Sequence, residues 1–252
     1  MILKFFGTGT STGVPTVACH CPVCQSTDPH DKRTRPSLLL EYDGRAVLFD
    51  ATPDFRTQAL REDLTRLDAV VFTHAHADHI FGLDDTRPFY FRQQVPIPIY
   101  GNEACLATIR RTFLYIFEGY FPLGGVGKLD PHLIEGPFDL WGLQLTPVPV
   151  MHGELPILGF RFKNVAYVTD VSETPPASQA LLQDLDILIL DCLRHKPHHT
   201  HFSLEQALAM VEILKPRRAL FTHIAHELGH EATNARLPPH VRLAYDGLKL
   251  EL

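Results

Sequence analysis

No apolar run in this 252-residue chain is long enough to span a membrane, since a helix that crosses a bilayer needs about 20 consecutive apolar residues. The opening Met1-Ile2-Leu3-Lys4-Phe5-Phe6-Gly7 is too short, and too soon broken by glycine, for a secretory leader. It reads as a first strand. Repeats and low-complexity tracts are missing too, which excludes solenoids and disordered arms. Positive charge is in short supply: 23 Lys and Arg face 29 Asp and Glu, a formal net charge of −6. No global field therefore draws the chain to nucleic acid, although a local basic patch stays open. Cysteine is scarce, with five in all. The expected setting is cytoplasmic, where cysteines point to metal ligation or burial before disulfides. With 45% hydrophobic and 21% charged residues, the composition suits one globular domain over 1–252 with ample core.

What is present is a concentration of candidate ligands. Thr73-His74-Ala75-His76-Ala77-Asp78-His79 reads His-x-His-x-Asp-His and follows the apolar run Leu67-Asp68-Ala69-Val70-Val71-Phe72. A buried strand ends where the ligands begin. Imidazole and carboxylate are the side chains that hold zinc, iron or manganese. His74 and His76, two apart, leave a strand on one face and can grip one ion. Asp78 and His79 point elsewhere and can grip a second. Two ions a few ångströms apart are the machinery of metal-assisted hydrolysis.

A second signal is Cys19-His20-Cys21-Pro22-Val23-Cys24. Three thiolates in six residues can wrap one tetrahedral zinc and leave one corner open. His226 is the candidate for that corner, which would make the site closed and structural. His20, between two ligating cysteines, would strain the loop. A redox dithiol or three unrelated cysteines are the alternatives. Cys105 and Cys192 read as buried, apolar-like residues, and His30, His132, His230 and His240 as surface residues.

The histidine motif resembles the signature of the metallo-β-lactamase superfamily. Later segments fit that resemblance: Val150-Met151-His152-Gly153, Val168-Thr169-Asp170-Val171 and Phe221-Thr222-His223, each after an apolar stretch. The resemblance implies that His74, His76 and His152 hold one metal. It implies that Asp78, His79 and His223 hold the other, with Asp170 between the two. Asp50, at the end of Ala46-Val47-Leu48-Phe49, matches an aspartate that orients the metal loop from behind. Zinc, manganese and iron all suit the set.

Strands are predicted over 2–6, 37–42, 46–49, 69–72, 97–100, 143–148, 158–162, 165–169, 187–190, 218–221 and 249–252. Helices are predicted over 53–62, 103–112, 176–182 and 203–214, the last with Ser203 as N-cap and Gln206 three residues on. Asp43-Gly44 and Lys163-Asn164 read as hairpin turns. Strands come in runs and then alternate with helices, twice over. This suits the α/β, αββα four-layer sandwich of the superfamily, with ligands on loops at one edge. The Gly-rich, aromatic segment 113–137 breaks the pattern and reads as a lid, a homodimer contact or a surface loop.

The cysteine motif with Thr222-His223-Ile224-Ala225-His226 is similar to the family of phosphoribosyl 1,2-cyclic phosphate phosphodiesterases. So are the opening Gly7-Thr8-Gly9-Thr10-Ser11-Thr12-Gly13-Val14-Pro15, the pair Asp191-Cys192 and the ending Tyr245-Asp246-Gly247. PQQ biosynthesis protein B shares the cysteines, so they do not fix the substrate. The resemblance implies a hydrolase of small cyclic phosphodiesters, working by a hydroxide that two cations generate near neutral pH. Asp78 and Asp170 would be catalytic through the metals. His201, in Thr200-His201-Phe202-Ser203, matches a histidine that contacts phosphate or protonates the leaving group, though His195, His198 and His199 crowd the same loop. Gly7-Thr8-Gly9 could line the site with backbone N–H groups. Competing readings are a transfer-RNA 3′-processing endonuclease, a lactamase, a thioesterase and a non-catalytic metal-binding scaffold. Nucleic acid and membrane are not expected partners.

Overall fold

The computed structural model describes residues 1–118 and 125–252. Along the chain come β1 (Ile2–Gly7), β2 (Ser37–Tyr42), β3 (Arg45–Phe49), α1 (Phe55–Arg61), β4 (Ala69–Val71), α2 (Ala77–Ile80), α3 (Arg87–Gln93), β5 (Ile97–Gly101), α4 (Glu103–Thr112), α5 (Leu114–Phe117) and β6 (Leu129–Leu133). There follow β7 (Phe138–Leu140), β8 (Leu143–His152), β9 (Leu155–Phe162), β10 (Val165–Val168), α6 (Pro176–Leu181), β11 (Ile187–Asp191), α7 (Leu204–Leu214), β12 (Arg218–Thr222), α8 (His230–Asn234), β13 (Val241–Leu243) and β14 (Lys249–Glu251). Among the described residues, no helix is long and apolar enough to cross a membrane.

The chain divides into two compact units. The first holds Met1–Gly7, Arg35–Glu135 and Gly247–Leu252, and its seven strands run in the order β14-β1-β2-β3-β4-β5-β6. From β14 to β3 the pairing is antiparallel, and from β3 to β6 it is parallel. The β2–β3 hairpin turns on Asp43 and Gly44, with φ of 48° and 72°, the left-handed pair that a two-residue turn requires. Parallel neighbours need crossovers, and α1, α2 with α3, and α4 supply them. Phe6, Leu39, Leu48, Phe55, Val70, Phe72, Ile80, Ile99 and Ile109 form this unit's core.

The second unit holds Thr8–Thr34 and Gly136–Asp246. Its sheet repeats the plan in the order β13-β12-β11-β10-β9-β8-β7, antiparallel from β7 to β10 and parallel from β10 to β13. Val148, Val150, Ile157, Val168, Leu188, Leu190, Val211, Phe221 and Leu228 are among its core residues. The predicted capping box opens α7: Gln206 N–H donates to Ser203 Oγ at 3.3 Å, and Ser203 N–H to Gln206 Oε1 at 2.9 Å.

Where structure and expectation differ, the causes are local. β8 and β9 run longer than predicted because Pro147 and Pro149 do not interrupt them. β7 pairs only as far as Leu145, so among the described residues Pro147 and Pro149 face no strand on the outer edge of β8, and proline removes no ladder bond there. Pro131 is likewise accommodated in β6, an edge strand. β7, β13, α2 and α5 are too short to show a period, and α3 hides behind Pro88 in its first turn. Residues 119–124, in the middle of the segment expected to be a lid or homodimer contact, lie outside the described residues.

Candidate metal centres

In the first unit the parallel strands β3 and β4 deliver Asp50 and the Thr73-His74 pair at their C-terminal ends, where α/β sheets place ligands. His76 then caps α2 in an extended conformation. Asp78 and His79 lie in α2 itself, not in a loop as expected, with Asp78 in the first turn where the helix dipole favours negative charge. The helix end packs on the segment after Asp50. Gly82 N–H donates to Ala51 O at 2.9 Å, and a Cβ on Gly82 would stand 1.8 Å from Thr52 O. Only glycine fits there.

Hydrogen bonds behind these ligands set their tautomers. Asp50 accepts from Thr73 N–H at 2.9 Å, from Thr73 Oγ1 at 2.9 Å and from His79 Nδ1 at 2.9 Å. The Thr73 hydroxyl has given its one proton to Asp50. Toward His74 Nδ1, 3.0 Å away, it can only accept. Both rings therefore carry hydrogen on Nδ1 and turn the Nε2 lone pair outward. His79 Nε2 is 3.5 Å from Asp78 Oδ2, and the His74 ring lies 4.5 Å from that of His76 and 4.2 Å from that of His79. Asp50, His74, Asp78 and His79 are buried, and His76 is exposed. Burial pushes the Asp50 carboxyl above the usual carboxylate range, while His79 and Thr73 pull it back.

The second unit gathers its own set. His152 ends β8 as a strand residue rather than a loop residue. The parallel strands β10, β11 and β12 deliver Asp170, Asp191 and His223 at neighbouring C-terminal ends. His223 Nε2 is 3.1 Å from Asp170 Oδ1, and its Nδ1 is 3.6 Å from Asp191 Oδ1. His201 stacks on His223 with centroids 4.6 Å apart, and its Nδ1 is 3.4 Å from Asp191 Oδ1. His152 donates from Nδ1 to Thr200 O at 2.8 Å, which leaves its Nε2 as the lone pair. One ligand atom each from His152, Asp170 and His201 falls within 4.8 Å of the others. Burial raises the Asp191 carboxyl above its ordinary range, against the pull of His201 and His223.

Three of these residues stand in strained backbone. Asp50, Asp170 and His223 have φ of 62°, 57° and 59°. Left-handed backbone costs an ordinary residue about 1–2 kcal/mol, and Asp and His tolerate it better than most. Such residues cluster at functional sites, where the fold holds them.

The cysteines meet His226 within the second unit. Cys19, Cys21 and Cys24 Sγ lie 3.1, 3.5 and 3.3 Å from His226 Nδ1. Ligands of a tetrahedral zinc, at ordinary Zn–S and Zn–N lengths, stand about 3.6 Å apart, so the group fits a structural zinc. His226 Nε2 faces Glu227 Oε2 at 3.7 Å. The Cys24 N–H bond to Cys21 Sγ lowers the Cys21 thiol to about 7, whereas burial raises Cys24 to about 11.

Sequence reasoning missed Thr73 and Thr200, and had no role for Asp191. Their signal is positional: a polar residue at or beside a strand end next to a ligand. Thr8 and Gly9 do not line a site with their N–H groups, which donate to Asp246 Oδ1 and Thr34 O. His230 is buried, not on the surface. Its Nδ1 accepts from the buried Arg33 guanidinium at 3.1 Å, and burial with that cation lowers it to about 4.

Residues 45–224 match the family described as the beta-lactamase superfamily domain. An octanoyltransferase of Porphyromonas gingivalis is 38% identical over 96% of this chain and 50% of its own length. Coenzyme PQQ synthesis protein B of Xanthomonas oryzae pv. oryzae is 29% identical over 62% of this chain and 54% of its own length. The chain thus spans about half the length of these curated relatives. Among solved structures, one described as a new diphosphatase from the PhnP family is 48% identical. Its TM-score is 0.94, over 100% of this chain and 97% of that one. Zinc-bound PqqB from Methylobacterium extorquens is 20% identical with a TM-score of 0.81, over 100% of both chains.

Proposed function

The chain belongs to the beta-lactamase superfamily and has the metallo-β-lactamase fold, and from that premise we propose a metal-dependent hydrolase of small phosphodiesters. One observation carries the reading. His74, His79, His152 and His223 each turn Nδ1 toward Thr73, Asp50, Thr200 O or Asp191. That arrangement orients imidazoles so that Nε2 can bind metal. By the family resemblance, His74, His76 and His152 would hold one ion and Asp78, His79 and His223 another, with Asp170 as a further ligand. Two such cations would make a water acidic enough to attack near neutral pH and would offset phosphoryl charge.

The chain's own residues do the rest. Asp50 and Thr73 hold the first unit's imidazoles. In the second, Thr200 O holds His152, and Asp191 Oδ1 faces His223 Nδ1 at 3.6 Å. His201, backed by Asp191 at Nδ1, offers Nε2 to a phosphate oxygen or to the departing oxygen as acid. A phosphodiester carries one negative charge on its non-bridging oxygens, so its phosphorus can accept an anionic nucleophile once that charge is offset. The preferred member is a ring-strained ester such as ribose 1,2-cyclic phosphate, on the likeness of the Gly7-Thr8-Gly9 opening and the cysteine motif.

A second reading, an ester of diphosphate, is favoured by the 48% identity to the diphosphatase. Its leaving phosphate needs no proton, which separates it chemically from an alkyl diester. The test is turnover by the Mn2+- or Zn2+-loaded protein. Substrates are ribose 1,2-cyclic phosphate, a 2′,3′-cyclic nucleotide, an aryl diester, a nucleoside diphosphate ester, an aryl monoester, a precursor transfer RNA, a lactam and a thioester. The thioester tests acyl chemistry, which the name of the Porphyromonas relative evokes. Diesters are expected to be cleaved. Faster cleavage of the monoester, or of transfer RNA, lactam or thioester alone, would overturn the proposal.

A further inference from the structure

The loop between β11 and α7 carries Arg194, His195, Lys196, His198, His199 and His201. Thr200 organises it. Its carbonyl holds His152 Nδ1 at 2.8 Å, while its N–H and Oγ1 lie 3.3 and 3.0 Å from His198 Nδ1. A backbone N–H can only donate, so His198 Nδ1 is a lone pair. The proton of the neutral ring is therefore on Nε2. The ring is held from other sides too. It stacks on His199 with centroids 4.6 Å apart and stands 5.4 Å from the His201 ring. Arg194 fixes the loop backbone by bonds to Lys196 O at 3.2 Å and Pro197 O at 3.4 Å. Gly153 lets the loop close on the His152 hairpin, since a Cβ there would stand 2.9 Å from Thr200 Cγ2. A half-buried imidazole with Nδ1 engaged and Nε2–H on offer is thus built beside the cluster of His152, Asp170 and His201.

We infer that His198 binds substrate, donating from Nε2 to an anionic oxygen one group beyond the phosphorus served by His201, and so adds affinity for esters that carry a second phosphate next to the one attacked. The inference rests on the reading of the site as a phosphoryl-cleaving centre. A single diester leaves this donor and the basic loop with nothing to bind. A diphosphate ester supplies oxygens to both rings.

Two substitutions separate binding from loop structure. His198→Asn keeps an acceptor near the place of Nδ1 for Thr200 and removes the Nε2 donor. His198→Gln places an amide N–H near the place of Nε2. The readouts are the affinity of the metal-loaded protein for inorganic diphosphate, by calorimetry, and the ratio of kcat/KM for a nucleoside diphosphate ester to that for an aryl diester. Loss of a hydrogen bond to a charged oxygen should weaken diphosphate binding and lower the ratio roughly tenfold or more in the Asn variant. The Gln variant should recover most of both. An Asn variant equal to wild type, or a Gln variant as impaired as Asn, overturns the inference. Diphosphate affinity that depends on His198 in a protein that cleaves no phosphate ester would sink the hydrolase reading and leave this inference standing. Diester cleavage with diphosphate affinity independent of His198 would do the reverse.

Discussion

Replacing Asp50 with Asn should weaken binding of the active-site metal by about tenfold to a hundredfold, the usual result of losing a group that orients a ligand. Asp50 accepts three hydrogen bonds of 2.9 Å, from Thr73 N–H, Thr73 Oγ1 and His79 Nδ1. An Asn that keeps its oxygen on Thr73 N–H turns an NH2 toward the other two. His79 Nδ1–H then meets a donor, and relief comes by moving its proton to Nε2, the lone pair meant for metal. The Thr73 hydroxyl, now accepting from the amide, becomes a donor toward His74 Nδ1, and the same change spreads to that ring. A buried donor left unpaired costs roughly 1–3 kcal/mol. Part of this is offset because a fully buried carboxylate, whose pKa burial already raises, is gone. Asn tolerates the φ of 62° at this position, so the apo fold should lose no more than about 3 kcal/mol. Asp50→Ala loses the same bonds and meets a left-handed penalty of about 1–2 kcal/mol besides. Chelator competition measures the metal, and urea unfolding of the apo protein measures stability. An Asn variant that holds metal as tightly as wild type, or an Ala variant as stable as the Asn variant, would refute the reasoning.

Cys21→Ser should remove one metal per chain, leave the active-site ions and lower Tm; elemental analysis showing no loss would remove the structural zinc. Because Cys21 titrates near 7 and Cys24 near 11, zinc must displace protons, and chelators should strip it more readily as pH falls below about 7. His230 is lowered from its ordinary 6.5 to about 4. The stability tied to its neutral form is present above 6.5 and lost as pH falls toward 4, with a slope of at most about 1.4 kcal/mol per pH unit. His230→Asn, which keeps an acceptor for Arg33, should flatten that slope; an unchanged slope in urea titrations refutes the assignment. His201→Ala should slow an alkyl diester by about a hundredfold to ten-thousandfold and an aryl diester less, since its leaving group needs no proton. Equal losses would make His201 a phosphate-binding residue only.

Much of the fold was legible because burial imposes period. The runs Leu38-Leu39-Leu40, Ala69-Val70-Val71 and Ile187-Leu188-Ile189-Leu190 can only be central strands, and Ser203 with Gln206 announces α7. Recurrence of the strand-then-helix pattern foretold two sheets; their mixed pairing came from the structure. The three-residue strands and α2 carry too few residues to show a period. The cysteine motif left one tetrahedral corner open. The structure brings His226, 202 positions from Cys24, to that corner. Thr73, Thr200 and Asp191 were not legible as supports, because their roles depend on which strand ends are neighbours in the sheets. Register and crossover settle that, and neither is written in local composition. His230 misled because a lone histidine in a polar stretch looks exposed, until the buried Arg33 is found against it.

The central claim is that the His and Asp donors hold two ions that the hydrolysis requires. The direct measurement is metal content and aryl diester turnover of protein stripped by chelator and then titrated with Mn2+ or Zn2+, beside Asp170→Ala treated alike. The account predicts three metals per chain in the wild type, with turnover rising as the active-site pair fills. It predicts a folded Asp170→Ala variant that cannot recover turnover in excess metal. Turnover by the stripped protein, or near-normal turnover by Asp170→Ala, would contradict it.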